Sequence, residues 1–296
     1  MEPRPRTGDL RRGTALALLA VLLFTVMVAL VKWLSATFSP MQVGVFRAGC
    51  ALALVLPVLL AVDGPRALRT TAPSAYVLRG LLGAGAIVTS FYAIAAMPIA
   101  DWVAISFLVP LFVAALSGPM LGEQVGWRRW VAILAGFAGV LVIVPPTGAA
   151  SAFALAVGVA SQAMVAMALI LIRRMGSRER TTTIVFYYML SLTLITGLVA
   201  PAFWVRPQGN EWLLLAAVGL IGGVAHLLVT AAYRLAPASV IAPFDYTGML
   251  WALLIGWVVW RETPDANLLV GVPLVIASGL YVVMSAARRP QVSGSR

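Results

Sequence analysis

Three ionisable side chains, Arg47, His226 and Asp245, lie about six to eight residues inside long apolar runs of this 296-residue chain. A charged group buried that deep in hydrocarbon costs about 2.5–3.5 kcal/mol or more on insertion scales, so such groups face a cavity or a partner. Arg47 has two readings: a structural tie between helices, or a contact to a bound molecule. His226 and Asp245 fall at nearly equal distances on either side of the turn at Ala236-Pro237. At about 1.5 Å per residue each rises roughly 12–14 Å from it. Packed antiparallel, the two segments would bring them to one height as a protonatable pair, which would tie function to pH. Catalysis finds less material. The chain has no H-E-x-x-H and no G-x-S-x-G, and His226 is the only histidine. A membrane enzyme would need a nucleophile–base or metal constellation. The single cysteine, Cys50, excludes a disulfide framework and a Cys/His zinc cluster. The expectation is no catalytic residue, no metal, no cofactor and no enzyme.

The elements that must position these residues follow from composition. Hydrophobic residues make up 61% of the chain, charged ones only 10%, and the mean hydropathy is +0.98. A soluble domain carries about 25% charged residues, so the polar residues here cannot cover a water-facing surface. In lipid the backbone must satisfy itself, which leaves helices or closed barrels. The apolar runs are not period-2 strands, and they have the length of about 20 residues that a helix needs to cross a bilayer. The chain therefore reads as an all-α integral membrane protein with ten transmembrane helices, near 14–34, 41–62, 75–96, 102–121, 130–144, 151–172, 183–203, 211–233, 239–260 and 268–286. Turn residues such as Asp63-Gly64-Pro65, Met97-Pro98, Pro145-Pro146 and Thr263-Pro264-Asp265 punctuate the runs.

Charge orients these helices. With an inner N-terminus, 17 of the 21 basic residues fall in inner segments, and Lys32, Arg206 and Arg261 in outer ones. Basic residues mark cytoplasmic loops, so both termini are expected in the cytoplasm and the chain in the inner (cell) membrane. The pI near 11 is then explained by short loops facing anionic lipid heads rather than by nucleic acid. The first run is longer than a signal-peptide core and reads as an uncleaved span.

The chain also repeats itself. A shift of 139 residues lays Gly80-Leu81-Leu82-Gly83 on Gly219-Leu220-Ile221-Gly222, Pro98 on Pro237, and Glu123 on Glu262. A shift of 140 lays Val45-Phe46-Arg47 on Val185-Phe186-Tyr187, and Gly139 on Gly279. The expected organisation is an N-terminal tail over 1–12, a five-helix repeat over 13–146, a second over 150–287, and a tail over 288–296. Five is odd, so the second repeat enters the membrane from the opposite side. Inverted repeats are a recurring plan of secondary transporters, with the substrate near the midplane between them.

Phe91-Tyr92-Ala93, Pro98, Pro110, Leu121-Gly122-Glu123, Trp130, Gly136 and Gly139 resemble the EamA domain of the drug/metabolite transporter superfamily. A second copy runs from Tyr233 through Pro237 and Glu262 to Gly279. The resemblance implies ten spans, inner termini and movement of a small organic metabolite that is amino-acid-like, vitamin-like or nucleoside-like, with export favoured over uptake. The second copy has Met249 where the first has Pro110, and Pro243 a turn and a half earlier, so the two halves are expected to kink at different depths. The expected cavity residues are Arg47, Tyr92, Ser106, Gln162, Tyr187, His226, Asp245, Tyr246 and Trp251. Gly80, Gly83, Pro98, Glu123, Gly219, Gly222, Pro237 and Glu262 are expected to serve packing or gating. Glu123 and Glu262 read as helix-end carboxylates held by nearby arginines such as Arg128, or as gating charges. Arg79 reads as snorkelling to the inner face, Trp102 as part of an interfacial belt, and Trp251 and Trp257 as deep enough to face a substrate. The expected partners are lipid, a small-molecule substrate and protons as the coupling ion.

Overall fold

The computed structural model describes residues 7–68, 70, 73–122, 125–145, 149–175, 181–235 and 241–287. Glu123 and Pro237 lie outside them.

Regular structure among the described residues is helical. In order, α1 spans Thr7–Leu34, α2 Pro40–Asp63, α3 Pro73–Ala96, α4 Ile99–Ser106, α5 Val109–Leu121, α6 Trp127–Ile143, α7 Ala149–Met175, α8 Thr181–Val199 and α9 Glu211–Leu235. A 3-10 segment, Ala242–Thr247, leads into α10, Gly248–Ile255, then a π-helical turn, Gly256–Trp260, and α11, Ala266–Ala287. Among the described residues, eight helices are long and apolar enough to cross a membrane, α4 and α5 counting together as one. The stretch Phe244–Trp260 is a shorter apolar helix, and α6 has 17 residues.

Local chemistry explains several boundaries. Pro40 opens α2 behind Ser39, whose hydroxyl accepts from the Gln42 N–H at 3.3 Å. Gly122 ends α5 at φ +73°, a left-handed conformation that glycine adopts without a Cβ clash. Asp265 accepts from the Leu268 N–H at 2.8 Å and caps α11. Pro110 stands in the first turn of α5, just after the helix breaks at Phe107–Leu108. The later counterpart breaks elsewhere, as 3-10 at its start and π at its end. The two halves thus bend at different depths.

Helix pairs pack in a pattern that repeats. Helix α1 lies along α9, and α3 along α7; α2 touches α9, and α3 touches α8. Helix α5 meets α7, and α10 meets α1. Counted as ten helical segments among the described residues, with α4–α5 as one and 242–260 as one, exchanging each segment for the one five places on returns the same set, and the pairs α2–α8 and α6–α11 map onto themselves. Glycines permit the close crossings. A Cβ at Gly219 would strike the Phe46 carbonyl and stand 2.6 Å from Cys50 Cβ, while one at Gly80 would strike Ser191. A Cβ at Gly139 would meet Val275 at 2.8 Å, and one at Gly271 the Gly139 carbonyl at 2.6 Å. Outward faces carry bare hydrocarbon such as Leu198, Leu213 and Leu250. Exposed apolar side chains in that number suit lipid.

Candidate functional site

A cavity of about 600 Å³ opens between these helices. Helix α1 gives it Val21, Phe24, Thr25 and Val28, and α2 gives Arg47. The broken segment α4–α5 supplies Trp102, Ser106, Phe107 and Pro110, α7 supplies Gln162 and Val165, and the 3-10 turn supplies Asp245 and Tyr246. Both repeats therefore build the wall.

Its polar groups are few. The Ser106 hydroxyl donates to the Val103 carbonyl at 2.6 Å and the Thr25 hydroxyl to the Val21 carbonyl at 2.9 Å. Gln162 donates to Ser161 Oγ at 2.8 Å. Tyr246 packs edge-on against Phe107, ring centroids 4.8 Å apart, and a Cβ on Gly279 would strike its hydroxyl. Asp245 has an exposed side chain on this wall.

Arg47 is the least satisfied of them. Its hydrogen-bond partner is the Tyr188 side chain. Its Nε and Nη1 are buried and have no hydrogen-bond partner among the described residues. Arg79 reaches the same tyrosine from the other side, its guanidinium 4.4 Å from the ring centroid, and donates from Nη1 to the Ile184 carbonyl at 2.9 Å. Arg79 Nε is likewise buried without a hydrogen-bond partner among the described residues. Gly83 makes room for the Tyr188 ring, which a Cβ there would strike.

Five expected cavity residues, Arg47, Ser106, Gln162, Asp245 and Tyr246, are among the lining side chains. Tyr92, Tyr187, His226 and Trp251 are not. Tyr92 is 44% exposed and stacks on Phe153, and the Tyr187 hydroxyl donates to the Leu68 carbonyl at 2.7 Å. His226 meets Phe24 edge-on at 5.0 Å, and Phe24 itself lines the cavity. Three further expectations are corrected. Arg79 is buried and turns inward to Tyr188 instead of snorkelling. Trp102 is buried in the cavity wall and not in an interfacial belt. Trp257, half exposed beneath Arg261, faces outward. Sequence reasoning missed Tyr188. The signal was the glycine register: Gly80 faces Ser191 and Gly219 faces Cys50, a shift of 141, and 141 lays Arg47 on Tyr188.

One end of the molecule is tied across the repeats. Lys32, at the end of α1, pairs with Glu262 and donates to the Met97 carbonyl at 2.9 Å. Glu262 Oε2 accepts from the Ile99 N–H at 3.1 Å. Glu262 is thus held by the first repeat's lysine and backbone rather than by an arginine. Trp33 and Trp260 meet edge-to-face beside the pair with centroids 6.2 Å apart. A smaller cavity of about 180 Å³, lined by Pro98, Asp101, Glu262 and Asp265 among others, sits at this end and shares no lining residue with the larger one.

Known proteins share this plan. The chain is 34% identical over 278 residues to a pseudopaline exporter of Pseudomonas aeruginosa (strain UCBPP-PA14), covering 93% of this chain and 95% of the exporter. It is 29% identical to a riboflavin transporter of Vibrio cholerae, covering 92% of each chain. It is 26% identical to an S-adenosylmethionine uptake transporter of Rickettsia felis, covering 86% of each. A solved crystal structure at 22% identity superposes with a TM-score of 0.65 over 94% of this chain and 98% of its own, which supports the fold alone. The model of the EamA-like transporter family matches twice, over residues 11–144 and 152–284. With both repeats matched, the chain belongs to the EamA-like transporter family.

Proposed function

We propose that this protein is a secondary transporter that carries a small organic metabolite across the inner membrane by alternating access of two inverted five-helix repeats. Ten spans, with both termini cytoplasmic, fit the charge distribution and the exchange symmetry of the helix contacts. The observation that carries the proposal is the pairing of a cavity built by both repeats with a tie that joins those repeats at one end. By the charge orientation, the Lys32–Glu262 end is the outer one. The state seen is then closed outside, with the polar groups Arg47, Gln162 and Asp245 behind the closure. Transport requires the tie to break and the repeats to rock about the glycine crossings.

Export is the favoured direction, since a relative named an exporter shares 34% of its residues with this chain. Uptake is the second reading, supported by relatives named uptake or riboflavin transporters. The substrate is amino-acid-like, vitamin-like or nucleoside-like, and protons are the proposed coupling ion.

The test uses the tie. With Cys50 replaced by serine, Lys32→Cys and Glu262→Cys can be joined by a short thiol cross-linker. Joining them should lower counterflow of labelled metabolites in proteoliposomes at least tenfold, and cleaving the linker should restore it. Full counterflow with the linker intact would show that this end need not open. Flux that rises linearly with concentration, without saturation, would indicate a channel.

A further inference from the structure

We infer that the cavity takes a zwitterion whose charges are set apart, with its anionic group at Arg47 and its cationic group at Asp245. The inference rests on the transporter reading, because it assigns a substrate class to the same cavity.

The wall between these two residues is largely hydrocarbon, from Val21, Phe24, Val28, Phe107 and Val165. Arg47 carries two buried donors with no hydrogen-bond partner among the described residues. The side chain of Asp245 faces the cavity and makes no hydrogen bond or ion pair among the described residues. The two do not satisfy each other, and their positions explain why. Arg47 lies seven residues into α2 from Pro40, and Asp245 lies fifteen residues before Trp260. The outer ends are level, because Trp260 meets Trp33 edge-to-face and a short turn joins Trp33 to Pro40. At about 1.5 Å per residue, Arg47 stands roughly 10 Å below that level and Asp245 roughly 22 Å, so their backbones differ in depth by about 12 Å.

Two unpaired, opposite charges at different depths set the chemistry of the guest. A burial that leaves an ionised group unpaired is unfavourable. A neutral guest would desolvate both groups and pair neither. A guest with one charge would pair one and strand the other. A zwitterion pairs both with charge-assisted hydrogen bonds, the strong class. The depth difference favours charges several bonds apart over those of an α-amino acid. A volume of about 600 Å³ is within the usual range for small-molecule sites.

The proposal also gives protons a route into the cycle. Protonating Asp245 removes the counter-charge of the guest's cationic group, so proton and guest compete for one carboxylate. The titratable groups that share the cavity wall with it are Tyr246 on its own turn and Arg47 of α2; the α1 and α7 residues of the wall carry no charge, and His226 of α9 packs on Phe24 of that wall.

The experiment measures thermal stabilisation of the purified full-length protein by three compounds of matched length: 6-aminohexanoate, hexanoate and hexylamine. The expected result is that 6-aminohexanoate acts at least tenfold more potently than either singly charged compound. Asp245→Asn should reduce it to the level of hexanoate and flatten its pH dependence above about pH 5, where the guest's own carboxyl, with an ordinary pKa of about 4.3, is still ionised. Arg47→Gln should reduce it to the level of hexylamine. Should the arginine variant not fold, the Asp245→Asn arm decides, because that side chain projects into open space. Equal potency of a singly charged compound, an unchanged Asp245→Asn, or no stabilisation by 6-aminohexanoate would each overturn the inference. Counterflow separates the two readings. Counterflow of a metabolite lacking one of the charges would keep the transporter and remove the zwitterion site. Binding without counterflow would keep the site and remove the transporter.

Discussion

At the scale of single residues, the sequence indicates depth but not direction. Arg47, His226 and Asp245 stand out because ionisable groups are rare in apolar runs, and two of them, Arg47 and Asp245, are on the cavity wall. Rotation about a helix axis was not legible for the others. His226 and Asp245 were matched by height alone, yet the histidine packs on Phe24, while the aspartate opens to the cavity. Arg79 was misread for the same reason. A span-end arginine can snorkel or turn inward, and only the position of the Tyr188 ring decides between them. The shared tyrosine matters for Arg47, whose guanidinium must meet Tyr188 while keeping donors free for a guest. Planar, fixed donors can do both; a lysine ammonium is a compact point charge that cannot. Arg47→Lys should therefore lower transport at least tenfold while leaving folded protein in the membrane. The measurement is counterflow alongside size-exclusion profiles. Normal transport by the lysine variant would mean that this position needs only a positive charge, and loss of the folded protein would favour a structural tie between helices.

At the scale of elements, the glycine spacing was legible as packing, and the partners were not. Gly219 and Gly222 share one helix and one motif, yet they face different materials. A Cβ on Gly219 would press on the Phe46 backbone and Cys50 Cβ, neither of which can move without shifting α2. A Cβ on Gly222 would meet Met27 Sδ at 2.8 Å, the far part of a flexible side chain. Gly219→Ala should accordingly cost about 1–3 kcal/mol, in the range of overpacking substitutions, and Gly222→Ala distinctly less, as read from thermal or denaturant unfolding in detergent. Gly219→Ala should also impair binding at Arg47, because the carbonyl of that residue lies 3.1 Å from the added carbon. Equal stability of the two variants would mean that α2 and α9 can part without penalty. The breaks in the fourth and ninth segments were half legible. Prolines mark that each must bend, but the 3-10 start and the π-helical end of the later segment have no sequence signal beyond Pro243 and Gly256. The Lys32–Glu262 tie is not legible at all, since the sequence points Glu262 to a local arginine and its partner is a lysine 230 positions away.

At the scale of the whole molecule, duplication links fold, orientation and mechanism. The register of glycines, prolines and glutamates shows the repeat in the sequence, and the family model and the exchange of helix contacts carry it into three dimensions. Helix contacts alone do not say which end faces the cytoplasm; the proposed orientation rests on the basic residues. Arg128 and Arg129 open α6, where Arg129 donates to Ser285 at the end of α11 remote from Glu262, and the sequence adds arginines over 173–180 and at 288–289 to the segments expected inside. If that end is cytoplasmic, the tie closes the outer side and the cavity reaches Asp245 on the inner side. A reporter fused after Pro146 should then read as periplasmic, and one fused after Arg178 as cytoplasmic. The pair is informative because the two points are separated by α7 alone, so any correct topology must give them opposite answers. Opposite answers in the reverse sense would invert the molecule, turn the tie into an inner gate, and place Asp245 toward the periplasm. Equal answers would mean that α7 does not cross. The first repeat would then no longer be followed by a second in opposite orientation, and alternating access between mirrored halves would lose its geometric basis.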